Sequence, residues 1–508
     1  MNAIPFQQHS PGHDEGAGNS PSSIGSSNLP PEVVERLIEL YFSKIQGWLP
    51  LLHRTRFYAK HRDPHTGHLR NLMDIPPIEA FTLWGMFGLA ARFCDMDYFS
   101  GTPPAERGDQ FVSMASTLYA QLRPTIITPS LEYIQGCILL AFNYYTACLC
   151  HRGWMITGSC VRLAYELDLH IIDKDGGRNL SPSDWVTREE KRRSWWLIWQ
   201  LDRFGSNMTH RPYAIDNRVM SVLLPASDSD WLRGIPVPSA MLEGNPESIW
   251  RSLKASGNQN TRIWFIACEY LMSLVHEQIY QGTPSEDEIQ QWKTVLSCFR
   301  LALPPAFCLN LDTFVYDVGD VDEMNWVILT HLLLLFRQFE LEFAVGDTTS
   351  CPTITAAGHA QRIQHIISSW SPEYIQLSHP FAGCSLIGPK AGYFTAKIHK
   401  SVERHWALAR EILRLGLSHI SRFWKLGSVL LELEGRIKSG ETLSGRIPPS
   451  ARRLNALLPV LPEKGIQDDG VGNIIPEGDL AQNLSTSLDD CIVGYSPTLR
   501  IDTPRFSL

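Results

Sequence analysis

A chain of 508 residues has room for two or three ordinary domains or for one large helical array, and its 44% hydrophobic and 19% charged content excludes disorder along its whole length. The formal net charge of -8 sets the chain as a whole against a phosphate backbone, so a DNA-reading surface would have to be a local patch; the densest basic runs, His53-Arg54-Thr55-Arg56 with Lys60-His61-Arg62, and Lys191-Arg192-Arg193, are no basic arm. Eleven cysteines scattered without a C-x-x-C pair exclude a disulfide scaffold and point to a reducing compartment, cytosol or nucleus.

Met1 to Glu15 carry neither the basic nor the apolar stretch of a secretion signal. Residues 1–28, rich in Ser, Gly, Pro, His and Gln, hold too little apolar surface to offset chain entropy, and a disordered leader is expected there. Leu29-Pro30-Pro31-Glu32 reads as a helix start, since proline suits a first turn, and Val33-Val34, Leu37-Ile38, Tyr41-Phe42 and Ile45 continue an apolar helical stripe. The same period predicts helices over 79–93, 108–122, 131–150, 153–169, 189–208, 262–280, 286–301, 322–343, 356–370 and 394–415. Pro103-Pro104, Pro124, Pro129, Asp175-Gly176-Gly177, Pro212 and Pro304-Pro305 punctuate them, and sustained strand-like alternation is missing. The stretch 131–169 is apolar on more than one side, which predicts a buried helix pair at the centre of a bundle. Trp326 to Phe336, the strongest apolar run, is interrupted by His331 and falls short of the roughly 20 apolar residues of a membrane span. The expected fold is all-α, a large bundle or array of about ten or more helices over 29–445, followed by a low-order, mildly acidic tail over 446–508.

Thr187-Arg188-Glu189-Glu190 fits a capping box and predicts a helix start at that point. In the helix that follows, the 3.6-residue period puts Trp195 and Trp199 on one stripe with Asp202, and Leu197, Leu201 and Phe204 on another. An acid on such a buried face has to be paired, and Arg203 or Arg211 is the expected partner. Arg193, Trp195, Trp196, Asp202, Arg203, Arg211 and Pro212 are therefore read as residues that stabilise the fold rather than bind a ligand.

The run Arg192-Arg193-Ser194-Trp195-Trp196, then Leu201-Asp202-Arg203, a helix end, Arg211-Pro212 and Ile215-Asp216, resembles the signature of the fungal-specific transcription factor domain, the middle homology region found downstream of zinc binuclear clusters. Leu37 to Phe42 with Trp48 to Phe57, Leu89-Ala90-Ala91-Arg92-Phe93 and Val161 to His170 are similar to further segments of that family in the same order, so the likeness covers about residues 30 to 420. The resemblance implies a helical regulatory domain in a nuclear regulator of transcription, restraining or exposing an activating segment such as the acidic tail. Control of a biosynthetic gene cluster is in keeping with it. This chain has no cysteine before Cys94, so the six-cysteine zinc module of the family is expected to be absent and no metal or other cofactor is expected. DNA contact is then expected to be indirect, through a zinc-cluster transcription factor or a homodimer, unless a first exon is missing from the sequence; no membrane partner is expected.

Enzyme motifs fail on their own terms. Gly383-Cys384-Ser385-Leu386-Ile387-Gly388-Pro389-Lys390 resembles a phosphate loop, but Pro389 intrudes before the lysine and Ala391 replaces the metal-binding hydroxyl. His276-Glu277 opens a zinc-protease pattern whose second histidine is Tyr280. Cys148, Cys150, His151 and Cys160 do not make a metal site if they ride on helices, where residues two apart face different ways; small buried apolar cysteines are expected instead. No catalytic residues are assigned, and a helical protein-binding scaffold without a role at DNA stands as the alternative to a transcription regulator.

Overall fold

Proline opens the first helix, as its fixed φ and missing N–H favour. In the computed structural model, which describes residues 29–439 apart from 66–68, 177–179, 210, 243, 282–283, 308, 310–320, 344–353 and 387–399, α1 (Pro31–Leu40) buries Val33, Val34, Leu37 and Ile38. It runs on into a wider π turn over Tyr41–Ile45. The leader (1–28) and tail (446–508) expected to lack order lie outside the described residues.

Sixteen further α-helices follow among the described residues: α2 (Arg54–His61), α3 (Pro77–Ala90), α4 (Asp109–Leu122), α5 (Leu131–Ala147), α6 (His151–Glu166), α7 (Pro182–Thr209), α8 (Asp228–Arg233), α9 (Ile249–Ala255), α10 (Thr261–Gln281), α11 (Glu286–Ala302), α12 (Val321–Phe343), α13 (Ile354–Ser369), α14 (Pro372–Leu377), α15 (Ala382–Leu386), α16 (Lys400–Ser421) and α17 (Lys425–Ser439). The only β pairing among the described residues is two isolated bridges, Arg62 with Leu69 and Leu223 with Met241. The all-α expectation is met.

Within α5, every residue from Ile134 to Asn143 is buried. α3 and α5 approach closely because glycine replaces a side chain on both: a Cβ on Gly85 would stand 2.8 Å from the Cβ of Leu139, and one on Gly136 would meet the Phe81 ring. Gly85→Val is accordingly expected to cost about 1–3 kcal/mol through overpacking. Gly435→Ala, at a position where a Cβ meets nothing within 4 Å, should instead gain about 1 kcal/mol of helix propensity. Urea unfolding of the two variants beside the parent checks both signs.

α6 corrects the picture of a fully enclosed pair. It buries Ile156, Cys160, Val161 and Ala164 but turns Met155, half exposed, to solvent. The predicted helix 131–150 also ends earlier, at Ala147, and Cys148-Leu149-Cys150 forms the link to α6. Cys148 and Cys150 are therefore neither on a helix nor fully buried, whereas Cys160 is buried as expected.

One contiguous core runs from Leu29 to Leu433. At its centre, rings from distant parts of the chain meet: Phe381 stacks on Phe204 of α7 with centroids 3.6 Å apart and lies 5.5 Å from Phe142 of α5, while Trp48 stands edge-on to both Phe142 and Trp424. The helices after residue 370 thus complete the core in which α5 and α7 sit.

Candidate functional site

α7 begins at Pro182, five residues before the predicted capping box. The cap is Ser181, whose hydroxyl accepts the Asp184 amide at 3.2 Å and bonds the Asp184 carboxylate at 2.7 Å. Thr187 lies within the helix and its hydroxyl donates back to the Ser183 carbonyl at 3.0 Å. Arg56 of α2 fastens this end, donating to Thr187 Oγ1 at 2.8 Å and to the Ser183 carbonyl at 2.9 Å.

One turn later lies a buried ion network. Glu189 Oε1 accepts from Arg193 Nε at 3.1 Å and from the Ala226 amide at 2.8 Å, while its Oε2 accepts from Arg192 Nη1 at 3.1 Å. Arg192 grips Asp173 with two parallel bonds, Nε at 2.7 Å and Nη2 at 2.6 Å, and the same carboxylate takes the Leu223 amide at 2.9 Å. Burial disfavours the Arg192 charge, but Asp173 and Glu189 more than offset it, and its pKa is raised. Arg193 completes the set: it donates to the Ala226 carbonyl at 2.6 Å, pairs with Asp228, and lies 4.1 Å over the Trp231 ring. Glu189, Arg193 and Asp173 are fully enclosed.

The tryptophans continue the pattern. All residues from Arg192 to Arg203 are buried, so α7 is enclosed all round there rather than along one stripe. Each indole N–H reaches the segment that returns after the helix: Trp195 to Met220 Sδ, Trp196 to the Leu223 carbonyl at 2.8 Å, Trp199 to Asn217 Oδ1 at 2.9 Å. Asp202 is not met by a guanidinium, as expected from sequence, but by the amides of Ala214 (3.1 Å) and Ile215 (3.0 Å). Burial raises its pKa against the Arg203 charge and those two amides. Arg203 spends its Nη2 on the Ile215 carbonyl at 2.9 Å and Asn217 at 2.8 Å, under the Tyr213 ring. Arg211 lies 4.2 Å over Trp154 of α6, and the Pro212 carbonyl accepts the Ser206 hydroxyl at 3.3 Å. Charge, indole and carboxylate thus do one job, holding the irregular stretch 211–228 to α7.

Residues 38–253 match the family model described as fungal specific transcription factor domain. This segment is similar to fungal specific transcription factor domains. Over 236 residues the chain is 27% identical to "Zn(2)-C6 fungal-type transcription factor FTF1c" of Fusarium oxysporum f. sp. lycopersici, covering 45% of this chain and 24% of that protein. It is 29% identical over 198 residues to "Tropolone cluster transcription factor tropK" of Talaromyces stipitatus, covering 39% of this chain and 33% of that one. With "Pigment biosynthesis transcriptional activator pigB" of Monascus ruber it shares 25% identity over 219 residues, covering 40% and 35%. The chain therefore spans only between 24% and 35% of these relatives' own length.

Within the matched segment the structure brings together all seven residues singled out from the sequence, Arg193, Trp195, Trp196, Asp202, Arg203, Arg211 and Pro212, along α7 and the segment that returns over it. Asp173, Glu189 and Asp228 complete the network without having been singled out. Of these, only Glu189 had a local signal, its place in the Thr187 pattern. Among the described residues no group of three or more His, Cys, Asp and Glu side chains is placed to hold a metal ion, and no helix is long and apolar enough to cross a membrane.

A buried pair also escaped notice, just past the matched segment. Glu269 of α10 accepts from Gln200 Nε2 at 2.6 Å, and burial pushes its pKa up to about 8 against that bond and the Arg262 charge. Arg262, brought down to about 9 chiefly by burial, has no hydrogen-bond partner for its three guanidinium nitrogens among the described residues. A carboxyl whose folded pKa lies above its unfolded one stabilises the fold fully below the unfolded value, near 4.5, and loses that contribution as pH rises through about 8. Glu269→Gln should therefore gain on the parent as pH rises across this window. Urea midpoints that run parallel for the two proteins across that range would show that Glu269 ionises normally.

Proposed function

We propose that this chain is a nuclear, non-enzymatic regulator of transcription of fungal genes, acting through its helical domain, with DNA contact supplied by a protein partner that carries a zinc cluster or by assembly with a second copy. The observation that carries the reading is the family match over 38–253, whose signature residues form the α7 network described above. The relatives that regulate tropolone and pigment biosynthesis support control of a biosynthetic gene cluster as the more specific form of the reading. In this reading the helical body is a platform, in which the buried charges of α7 fasten the returning segment to the helix.

The helical body needs no metal in this reading, so chelation with EDTA should leave its melting temperature unchanged; a drop on chelation reversed by zinc would overturn that part. The reading as a whole is tested by chromatin occupancy of the tagged full chain in its native cell. Discrete promoter peaks, grouped beside co-located biosynthetic genes, are expected. A cytosolic protein with no enrichment on chromatin would instead support a scaffold role away from DNA.

A further inference from the structure

The link between α5 and α6 holds two half-buried cysteines, Cys148 and Cys150. Cys148, Leu149 and Cys150 make a tight turn in which the Cys150 amide donates to the Cys148 carbonyl at 2.9 Å, the i to i+2 bond of a γ-turn. Leu149 is buried and pins the turn to the core, while Cys148 and Cys150 on either side keep partial access to solvent. The two thiols share a hydrogen bond. The chain reversal and this contact place the two thiols side by side, the arrangement from which a bridge can close.

The two sulfurs are not equivalent. Cys150 is the N-cap residue of α6, a helix of 16 residues. Its sulfur closes no regular cap bond, yet the Cys148 thiol, the Gly153 and Arg152 amides and the Arg152 charge together outweigh burial and bring its pKa down to about 6. A thiolate is the nucleophile in thiol oxidation, and a neighbouring thiol is what resolves the first product. Among the other described cysteines, Cys94, Cys137, Cys160, Cys268 and Cys384 are buried, and Cys298 is exposed but stands alone.

We propose that Cys148 and Cys150 form a peroxide-reactive dithiol, a modification site at which Cys150 is the attacking residue and Cys148 the resolving one. The Cys150 thiolate attacks one oxygen of a hydroperoxide; an S–O bond forms, the O–O bond breaks, and the departing hydroxide or alkoxide takes a proton from water. The Cys148 thiol then loses its proton and attacks Cys150 Sγ; an S–S bond forms, the S–O bond breaks, and the hydroxide leaves as water. Two thiols are oxidised, and the peroxide is reduced to an alcohol or water and a further water. Ring closure draws Cys150 Sγ away from the first turn of α6, which carries Gly153 against the Tyr145 ring and Trp154 beneath Arg211. Trp154, in that first turn, is what connects the link to the segment that starts at Arg211. The inference goes beyond the transcription reading and is tested without reference to it.

The purified, reduced full chain is exposed to limiting hydrogen peroxide, quenched with N-ethylmaleimide and mapped by peptide mass spectrometry. An internal Cys148–Cys150 disulfide should appear before Cys298 is oxidised and should disappear with dithiothreitol. C148S should convert the same peptide to a sulfenic acid trapped by dimedone at Cys150, and C150S should leave Cys148 unreacted over the same time. Oxidation that falls first on Cys298, or on Cys148 at an unchanged rate in C150S, overturns the assignment. A measurement on the unsubstituted protein stands apart from whether the variants fold: iodoacetamide at pH 6 should modify Cys150 about tenfold faster than it modifies a free cysteine peptide, from the larger thiolate fraction partly offset by lower nucleophilicity. Alkylation at the peptide's rate or slower overturns the proposal.

Discussion

Glu189→Gln is expected to lower the stability of the folded chain by about 3–5 kcal/mol, the loss typical of removing one partner from a buried ion pair. The residue is fully enclosed and its two oxygens receive Arg193, Arg192 and the Ala226 amide. Gln keeps the shape but deletes the charge and turns an N–H₂ group towards two guanidinium groups. Arg192 retains Asp173, whereas Arg193 retains Asp228, whose side chain is 39% exposed and more strongly screened. Arg193 is therefore left the worse compensated, and the segment around Ala226 should loosen first. The checks are a fall in the urea midpoint with an unchanged slope and faster proteolysis within 223–228. A variant within about 1 kcal/mol of the parent would mean that the two aspartates suffice for both arginines, as double-mutant cycles could then apportion.

This network also marks where sequence reading succeeds and where it stops. Helices with one buried face were legible because one-sided burial imposes a 3.6-residue period, as in Val33, Val34, Leu37 and Ile38 of α1 and Ile289, Leu296 and Phe299 of α11, whereas α5, buried all round its middle, was legible from its long apolar run. Short helices such as α8 and α9, with six and seven residues, span too few turns for a period to emerge, and α17 went unread beyond the α16 stripe. The start of α7 was misplaced for a chemical reason. Thr-x-x-Glu is a cap only when the Thr hydroxyl faces free amides, and inside a helix the same hydroxyl bonds the carbonyl four residues back, as Thr187 does. Ser181, the residue that does cap, precedes Pro182 and bonds Asp184 three residues on, ahead of the stretch in which the helix start was sought.

The signature residues were legible as a set, but their partners were not. Asp202 looked as if it needed a guanidinium, since a buried acid must be answered. Two amides answer it instead, supplied by a non-helical stretch whose backbone has no local means of satisfying them. Asp173 sits in a turn and Asp228 opens the short helix α8, 19 and 35 residues from the arginines they meet, and no periodicity links positions so separated. What a sequence exposes is a residue's need for a partner. Which partner arrives depends on where an irregular segment returns.

Trp196→Ala should cost about 3–5 kcal/mol and Trp196→Phe markedly less, because the first leaves a large cavity and the second mainly leaves one carbonyl without its donor, a loss of about 1–3 kcal/mol. The ring is fully buried, packs edge-on to Trp199 with centroids 5.6 Å apart, and donates to the Leu223 carbonyl at 2.8 Å. The Leu223 amide is at the same time bonded to Asp173, and Ala226, three residues on, is bonded to Glu189 and Arg193. Indole and ion network therefore hold one short piece of backbone from two positions on α7. Once either is lost, that piece is partly free, and the second loss has less left to release. The double variant Trp196→Ala with Glu189→Gln should consequently fall short of the summed single losses by about 0.5–3 kcal/mol, the range found for residues that share a partner. Strictly additive losses in a urea-unfolding double-mutant cycle would show that indole and carboxylate act on independent parts of the domain, and the description of α7 as the keel to which 211–228 is fastened as a unit would have to be abandoned.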